Sequence, residues 1–257
     1  MDFYSHVVRT LTRDRLMQPT DKVLVVCGGE YDAETLRSCG FQDVTISNLD
    51  ERSQDFGSFA WAKGDAECLQ LEDASFDWTI VHGGLHHCAS PHRALLEMYR
   101  VARKGVLAME ARDSWLMRLG VLLRMTPEYE LEAVVLSGYA LGGVRNSAVP
   151  NYIYRWTERE VRKTIESAYP QNEQDIRFFY WLLLPERRLR MSGPIKKLLA
   201  WALGLGALCI QRLFPKQGNR FGFAILKTGR FKPWIDPSGS KMRQDMPLSF
   251  DPSKYGN

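Results

Sequence analysis

Hydrophobic and polar residues along the first 110 positions follow two alternating periods. Short runs of β-branched and apolar residues have the length of buried strands, at positions 23–26, 44–47, 60–63, 78–81 and 106–110. Segments with helical spacing lie between or before them, at positions 3–16, 32–38 and 91–103. This order predicts an α/β fold, a doubly wound and mostly parallel sheet with helices on both faces. Sheets of this kind bind ligands beyond the carboxyl ends of their strands.

The pattern changes after position 110. Helices are predicted at 114–124 and 157–168, and the second begins with a capping-box pair, Thr157 and Glu160. Two later runs of apolar and aromatic residues predict an antiparallel pair of strands, at 176–184, taken as buried, and at 221–227.

The segment 186–220 separates these last two strands. It is too long for a hairpin turn and is rich in Leu, Ala and Trp, so we expect a helical insertion before the last strand. A single domain is expected over residues 1–230, followed by a C-terminal tail over 231–257 with four prolines and no periodicity.

Composition narrows the class of protein. The chain has 257 residues, 45% of them apolar and 25% charged, which is typical of a globular protein. Five cysteines without a CxxC pair argue against a disulfide framework or a zinc ribbon and favour a reducing, cytoplasmic setting. No signal peptide is expected, because the first 13 residues carry charges and lack an apolar core. The longest apolar run, 198–210, falls short of the roughly 20 residues that span a bilayer.

Charge is distributed unevenly. Residues 1–185 hold 20 basic and 26 acidic side chains, whereas residues 186–230 hold 10 and 1. Basic residues beside an apolar run are typical of a helix in a membrane interface, here through residues 194–214, at the inner face of the cell membrane. A solvated basic face, a homodimer contact or a cover for the core are the alternatives. Nucleic acid is not expected as a partner, because the basic residues surround an apolar run and no polar groove.

The first strand and the second both end in residues suited to a ligand. Cys27, Gly28 and Gly29 follow the first strand and place flexible backbone before a helix, although two glycines also suit a simple tight turn. The second strand ends in Asn48-Leu49-Asp50, about 20 residues later, where polar side chains of doubly wound folds bond ribose hydroxyls.

A longer series of motifs follows at positions 64–103. It contains Gly64-Asp65-Ala66-Glu67, Ser75-Phe76-Asp77, Leu85-His86-His87, Ser90-Pro91 and Ala94-Leu95-Leu96-Glu97. In this order the series resembles the class I S-adenosylmethionine-dependent methyltransferases, and the resemblance extends more loosely over 23–110. It implies a Rossmann-like methyltransferase fold and S-adenosylmethionine as cofactor.

The resemblance also implies roles for individual residues. Cys27, Gly28 and Gly29 would lie against the methionine part of the cofactor, and Asn48, Leu49 and Asp50 beside the ribose. The Asp65 carboxylate would accept a hydrogen bond from the adenine amino group, and the Ala66 N–H would reach the ring. The cofactor's reactive end would lie between His82 and Gly83.

The glycine loop departs from the family pattern of one acidic residue and three alternating glycines. Those positions hold Val25, Cys27, Gly29 and Tyr31. A Tyr31 side chain has to turn away from the place where backbone approaches the ligand. This departure leaves open a second hypothesis, a protein that keeps the fold for binding or assembly without catalysis.

Catalysis and acceptor binding rest on fewer residues. For a hydroxyl acceptor we predict His86 and His87 as bases, the alternative being hydrogen bonds to neighbouring loops. No metal is predicted, because the spacing of His82, His86, His87, Cys88 and His92 fits no zinc pattern.

The aromatic segment 151–156 supplies the predicted acceptor residues Tyr152, Tyr154 and Arg155, although rings at this density also suit a core. The expected reaction is O-methylation of a small molecule, or of a sugar in a glycan or a lipid-linked intermediate.

Overall fold

A computed structural model describes residues 2–50, 55–183 and 194–243, with backbone only for 194–203. Its main sheet has seven strands in the order β3-β2-β1-β4-β5-β9-β8. These strands are β1 Val23–Val26, β2 Val44–Asn48, β3 Ala60–Lys63, β4 Phe76–His82, β5 Ala102–Ala111, β8 Asn172–Trp181 and β9 Arg220–Phe231.

Strand direction fixes the ligand-binding edge of the sheet. β1 pairs in parallel with β2 and β4, β2 with β3, and β4 with β5. β9 runs antiparallel to β5 and to β8. The carboxyl ends of β1 to β5 therefore share one edge, and the predicted α/β class with a mostly parallel sheet is confirmed.

Helices flank this sheet, and most of them begin at a side-chain cap. They are α1 Phe3–Arg13, α2 Glu30–Ser38, α3 Pro91–Val101 and α6 Glu158–Ala168. The Ser90 hydroxyl accepts from the Arg93 N–H, and Pro91 occupies the first turn of α3, where a missing N–H costs nothing. Thr157 accepts from the Glu160 N–H at the start of α6, so the predicted boundary is correct.

Two hydrophobic clusters lie on opposite faces of the sheet. One face packs α3 and α6 around Trp156, Phe221 and Phe223. The other packs α1 and α2 around Tyr4 and Trp78. Burial on both faces explains why the strands appear in the sequence as continuous apolar runs instead of alternating ones.

A less regular connection joins β5 to α6. It contains α4 Trp115–Leu122, β6 Tyr129–Glu130, α5 Leu131–Leu136 and β7 Asn151–Tyr152. β6 and β7 form a separate antiparallel pair in which Glu130 lies opposite Asn151 and Tyr129 opposite Tyr152. This short pair brings Glu130 and Asn151 toward the main site.

Several predicted bounds need correction, among them the strand predicted at 106–110, which begins at Ala102, and the last strand, which ends at Phe231. The run at 176–184 is not a buried strand: β8 begins at Asn172, ends at Trp181 and is mostly half-buried, because it is the edge strand of the sheet. The helix predicted at 91–103 ends at Val101, since Ala102 already begins β5. The helix predicted at 114–124 ends at Leu122. Residue 184 lies outside the described residues.

The insertion before β9 holds a helix, as predicted, α7 Pro194–Leu213. Among the helices of the described residues, none combines the length and the apolar character that crossing a bilayer needs. In the tail, Ile235 and Met242 form a single bridge, and residues 244–257 lie outside the described part of the chain.

Candidate functional site

A cavity of about 210 Å³ opens at the carboxyl edge of the sheet. It lies where β1, β2 and β4 end, together with the turn that follows β3. The residues that line it are Cys27, Asn48, Leu49, Asp65, Ala66, Glu67, Gly83, Gly84, His87, Cys88, Gly142, Gly143, Arg145 and Asn146. Of the predicted cofactor residues, Cys27, Asn48, Leu49, Asp65, Ala66 and Gly83 are brought together here.

The loop after β1 turns sharply at Cys27. Cys27 has φ 53°, the left-handed region that residues other than glycine rarely adopt. Gly28 then donates its N–H to the Ser47 carbonyl at 3.0 Å and accepts from Asn48 Nδ2 at 3.0 Å. A Cβ on Gly28 would lie 2.8 Å from Val25 Cγ1, so only glycine fits beneath this turn. Gly28 thus joins β1 to β2 and is not among the residues that line the cavity.

Gly29 and Asp32 form the start of α2. The Gly29 N–H donates to Asp32 Oδ2 at 3.0 Å, and Gly29 does not line the cavity. Burial raises the pKa of Asp32 to about 6. The loop after β1, which departs from the family's glycine pattern, is therefore followed by a buried carboxyl group at the start of α2.

Tyr31 turns away from the cavity. Its side chain is 46% exposed, and its ring centroid lies 5.2 Å from that of His82. The His82 ring stacks on Tyr4 at 5.0 Å, and burial together with the charge of Arg220 lowers the pKa of His82. His82 therefore belongs to an aromatic cluster with Tyr4 and Tyr31, and only its neighbour Gly83 reaches the cavity wall. The predicted place of His82 beside the cofactor's reactive end does not fit this arrangement.

The Asp65 carboxylate already has two partners. Oδ1 accepts from the Glu67 N–H at 2.9 Å, and Oδ2 accepts from Arg145 Nη2 at 2.8 Å. Arg145 Nη1 donates to Glu67 Oε2 at 3.0 Å, so its guanidinium bridges both carboxylates. The segment 142–146 thereby covers the side of the cavity where the adenine is expected.

Glu67 joins three loops. It is buried and accepts from the N–H groups of Ala89 and Ser90 at 3.0 and 2.9 Å. Since Glu67 also binds Arg145, the turn after β3, the start of α3 and the segment 142–146 are held together at one carboxylate. This arrangement gives the cavity a polar end.

A second charged group lies at the opposite side, around His86. His86 Nδ1 contacts Glu110 Oε2 at 3.1 Å, and His86 Nε2 contacts Glu130 Oε2 at 3.1 Å. Burial opposes the charged form, but the hydrogen bonds to the two carboxylates prevail and raise the pKa of His86 to about 9. Hydrogen bonds from His86 and His87 hold the pKa of Glu130 far below its usual range. A pKa above neutral favours the protonated ring while both carboxylates face it, which does not suit the predicted role of His86 as a base.

His87 lies on the cavity wall. Its Nδ1 accepts from Asn151 Nδ2 at 2.6 Å, and Asn151 Nδ2 also donates to the Gly142 carbonyl at 3.2 Å. His87 Nε2 lies 3.2 Å from Glu130 Oε2. Both ring nitrogens therefore have partners, and His87 can accept a proton only after Asn151 has moved away from Nδ1.

The five residues weighed for a metal do not gather. His82 lies in its aromatic cluster, and His92 Nε2 contacts Glu160 Oε1 at 3.3 Å elsewhere. A different set does gather: ligand atoms of His86, His87 and Glu130 all lie within 4.8 Å of one another. Spacing along the chain could not show this set, because Glu130 is 44 residues from His86.

The predicted acceptor residues line another cavity. Tyr152, Tyr154 and Arg155 surround a space of about 370 Å³ that shares no lining residue with the first cavity. The reason is strand alternation: Asn151 of β7 is buried toward His87, whereas Tyr152 is exposed on the opposite face. The three residues meet, but they do not face the cofactor cavity.

Several site residues were not predicted in these roles. Glu67, Glu110 and Glu130 follow or approach strand ends, and a carboxylate at the end of a parallel strand is a usable signal for Glu110. Arg145 and Asn151 stand in an irregular segment with no pattern to place them. Gly28, Gly29 and Asp50 were predicted to line the cavity, but they are not among its lining residues.

Comparison with known proteins agrees with this geometry. The family model described as "Methyltransferase domain" matches residues 25–109. The ubiquinone/menaquinone biosynthesis C-methyltransferase UbiE of Roseobacter denitrificans is 26% identical over 155 residues, which cover 55% of this chain and 59% of that protein. The chain thus spans less than two thirds of the length of this relative.

Solved structures share the fold over most of the chain. A methyltransferase of Thermotoga maritima superposes with a TM-score of 0.51 and 16% identity, covering 88% of this chain and 87% of that chain. One of Archaeoglobus fulgidus gives 0.50 and 13%, covering 87% and 94%. At these identities the likeness concerns the fold alone.

The fold, the matching family model and the cavity at the strand ends all point to the same class of protein. Residues 25–109 match the methyltransferase domain, and the fold is that of solved S-adenosylmethionine-dependent methyltransferases, in agreement with the resemblance seen in the sequence; S-adenosylmethionine is the cofactor of that class. The residues present fit the adenosyl part of that cofactor, because carboxylate, amide and glycine backbone line one cavity at the ends of β1 to β4.

Proposed function

We propose that this chain binds S-adenosylmethionine in the strand-end cavity and transfers its methyl group to a small, amphiphilic acceptor, with a hydroxyl oxygen as the acceptor atom. The observation that carries the proposal is the meeting of Asn48, Asp65 and Gly83 on the walls of one cavity. An adenosyl group needs an acceptor for its amino group and another for its ribose hydroxyls, and both are present there.

Each of these residues on the cavity wall offers an atom or a space suited to one part of the cofactor. The Asp65 carboxylate accepts two hydrogen bonds and still has lone pairs for the adenine amino group. Asn48 uses Nδ2 to hold Gly28, and its Oδ1, which accepts from the Asp50 N–H at 3.5 Å, keeps a lone pair for a ribose hydroxyl. The left-handed backbone of Cys27 and the glycine pair Gly83-Gly84 leave room for the methionine part.

The cavity is smaller than most ligand sites. Its volume of about 210 Å³ compares with roughly 300–1,000 Å³ for typical ligand pockets. The segment 142–146 lies over the adenine end of this cavity and is anchored there by Arg145. We infer that this segment shifts when the cofactor enters.

Bound S-adenosylmethionine supplies an electrophilic methyl group, so the protein has to align the acceptor and exclude water. A hydroxyl acceptor must also lose a proton. The raised pKa of His86 does not suit a base, and His87 can take the proton at Nδ1 only if Asn151 releases it. Movement of Asn151 is therefore part of the proposed O-methylation.

A carbon acceptor is the second candidate. The sequence relative acts in ubiquinone and menaquinone biosynthesis as a C-methyltransferase. An apolar tail of such an acceptor fits the groove between α4 and α7, about 410 Å³ in volume and lined by Trp115, Leu116, Leu119, Ile210, Phe214 and Gln217. The groove shares no lining residue with the cofactor cavity, so the reacting ring itself has to lie outside it. Nuclear magnetic resonance of the methylated product from methyl-labelled cofactor separates an oxygen-bound from a carbon-bound methyl group.

The same groove supports contact with an anionic membrane surface. Trp115 is 76% exposed and Leu208 65%, which is unusual for large apolar side chains on adjoining helices. The sequence of α7 contains three basic residues and no acidic one. An apolar face flanked by basic side chains suits the interface of an anionic bilayer, where an amphiphilic acceptor would also lie. A glycan carried on a lipid meets the same description.

Calorimetric titration with S-adenosylmethionine tests the cofactor site. We expect one site per chain, weakened about tenfold by Asp65→Asn, because a charged hydrogen-bond acceptor becomes a neutral one. Asp73→Asn is the matched control, since Asp73 pairs with Arg100 and does not line the cavity. Absence of binding at millimolar cofactor would instead support a methyltransferase-like binding or assembly protein.

A further inference from the structure

Two imidazoles and one carboxylate converge at the rim of the cofactor cavity. His86 and His87 are consecutive residues of the 3-10 turn Leu85–His87, and their ring centroids lie 4.4 Å apart. Both Nε2 atoms point to the same atom, Glu130 Oε2, at 3.1 and 3.2 Å. A carboxylate oxygen can accept two hydrogen bonds, so each contact by itself is ordinary; the cluster is notable because two imidazoles and a carboxylate, all able to bind a metal, have their ligand atoms within 4.8 Å of one another.

These separations are those of ligands around a small cation. Two ligands of a tetrahedral zinc ion at about 2.0–2.1 Å are about 3.3 Å apart, which follows from the tetrahedral angle. The atoms that face each other are Nε2, Nε2 and a carboxylate oxygen, the combination used by many catalytic zinc sites. Binding would displace the proton from each Nε2, and Asn151 would turn its amide so that Oδ1, which has no partner, accepts from Nδ1 of His87.

The surroundings of His86 support the same interpretation. Its second nitrogen, Nδ1, lies 3.1 Å from Glu110 Oε2, and Glu110 is buried and accepts from the Leu85 N–H at 2.7 Å. A carboxylate behind a ligating histidine orients the ring and raises its basicity as a ligand. Glu110 is thus placed to support a ligand and does not itself join the set of three.

We propose that His86, His87 and Glu130 bind one divalent transition-metal ion, of which Zn²⁺ is the best match. Three protein ligands leave a coordination position open, and His87 places the ion at the wall of the cofactor cavity. Metal binding itself is independent of the proposed function. The role of the open position rests on the proposed function. There, an acceptor hydroxyl bound to the ion would lose its proton more easily.

The test measures metal binding directly. Chelator-treated full-length protein is dialysed against Zn²⁺, and retained zinc is counted per chain. We expect one equivalent, and at least tenfold weaker binding for Glu130→Gln and for His87→Gln. His92→Gln is the matched control with unchanged binding, because His92 contacts Glu160 and Tyr154 away from the three ligands.

Co²⁺ as a substitute reports the ligand types. Visible bands of a tetrahedral ion without thiolate charge-transfer absorption would support the site. Thiolate absorption would overturn it, since the chain has five free cysteines that could hold the ion instead. Wild-type protein that retains no zinc, or Glu130→Gln that retains as much as wild type, would also overturn it.

Two further measurements make it possible to interpret a loss of zinc binding. Thermal melts check that the variants are folded, and Glu130 is suited to substitution because it lies half-buried on a two-residue strand. Calorimetric titration with S-adenosylmethionine, in the presence of chelator, is run on the same samples. If wild-type protein binds the cofactor but retains no zinc, the metal site alone is contradicted. If wild-type protein does not bind the cofactor, the proposed function is contradicted.

Discussion

At the scale of single residues, Asp32 has an environment that costs stability near neutral pH. Its side chain is buried at the start of α2 and accepts the Gly29 N–H, and burial raises its pKa to about 6 from 3.8. Between these two pH values the folded state holds a proton that the unfolded state has lost. Stability therefore falls as the pH rises through this window, and above about pH 6 the full cost is present.

Asp32→Asn removes this cost. We expect equal stability of the variant and wild type below about pH 4, and a gain of up to about 3 kcal/mol at pH 8. The amide oxygen can still accept from Gly29, so the helix start is kept. Urea unfolding at pH 5, 6.5 and 8 measures the difference. Glu34→Gln on the exposed side of α2 is the control, and an unchanged free energy of unfolding for Asp32→Asn at pH 8 would contradict the account.

Arg145 competes with the cofactor for Asp65. Its guanidinium is half-exposed, and exposed ion pairs are weak because water screens them. We therefore expect Arg145→Ala to tighten S-adenosylmethionine binding up to about fivefold, measured by calorimetry. Arg118→Ala, which removes the pair with Asp113, should leave the affinity unchanged. Weaker binding by Arg145→Ala would show that Arg145 holds the cofactor instead of excluding it.

At this scale the sequence predicts strand-end residues better than loop residues. Asn48 and Asp65 follow strands whose apolar runs are plain, so their meeting at one edge could be expected. Glu130 reaches the site on the β6–β7 pair. Arg145 reaches it in a segment whose backbone is left-handed at Arg145 and Asn146. Such long-range contacts leave no periodic signal in the chain.

At the scale of elements, Gly84 fixes how closely β4 and β1 end together. A Cβ there would lie 2.5 Å from Cys27 Cβ and 2.9 Å from Val81 Cγ2. We expect Gly84→Ala to lower the free energy of unfolding by about 1–3 kcal/mol, because the well-packed turn has to shift. Urea unfolding checks this.

Gly204→Ala is the matched control for that substitution. A Cβ on Gly204 meets no atom within 4 Å, and the residue lies inside α7. Alanine is the better helix former, so this variant should gain up to about 1 kcal/mol. Similar unfolding of Gly84→Ala and wild type would mean that the turn is less tightly packed than described.

Elements also show where sequence patterns mislead. The run at 176–184 is apolar enough for a central strand, yet β8 is an edge strand with β9 as its one neighbour. Its aromatic side chains pack on both faces, Phe178 on Phe221 and Trp181 on Phe3, but remain half-buried. Hydrophobic composition alone does not distinguish these two positions. Strands β1 and β3, in contrast, have the predicted bounds, because both are short and end at turn residues.

At the scale of the whole molecule, the groove between α4 and α7 gathers exposed apolar side chains on one face. If this face meets an anionic bilayer, wild-type protein should co-sediment with vesicles containing phosphatidylglycerol and less with neutral vesicles. Trp115→Glu should weaken vesicle binding about tenfold or more, because a largely exposed indole that would enter the interface is replaced by a charge.

Trp234→Glu is the control for this change. Trp234 is also exposed but does not line the groove. Vesicle binding that is unaffected by Trp115→Glu, or no binding by wild type, would contradict membrane contact through this face. Concentration-dependent dimers that Trp115→Glu dissociates would assign the groove to a second copy of the chain.

The central claim is that the ends of β1 to β4 and the segment 142–146 form one cofactor site. Hydrogen exchange followed by mass spectrometry, with and without saturating S-adenosylmethionine, tests it most directly. We expect slower amide exchange in peptides covering residues 64–67, 83–88 and 142–146 when the cofactor is present. Unchanged exchange in those peptides, with protection confined to the groove between α4 and α7, would place the cofactor elsewhere and contradict the account.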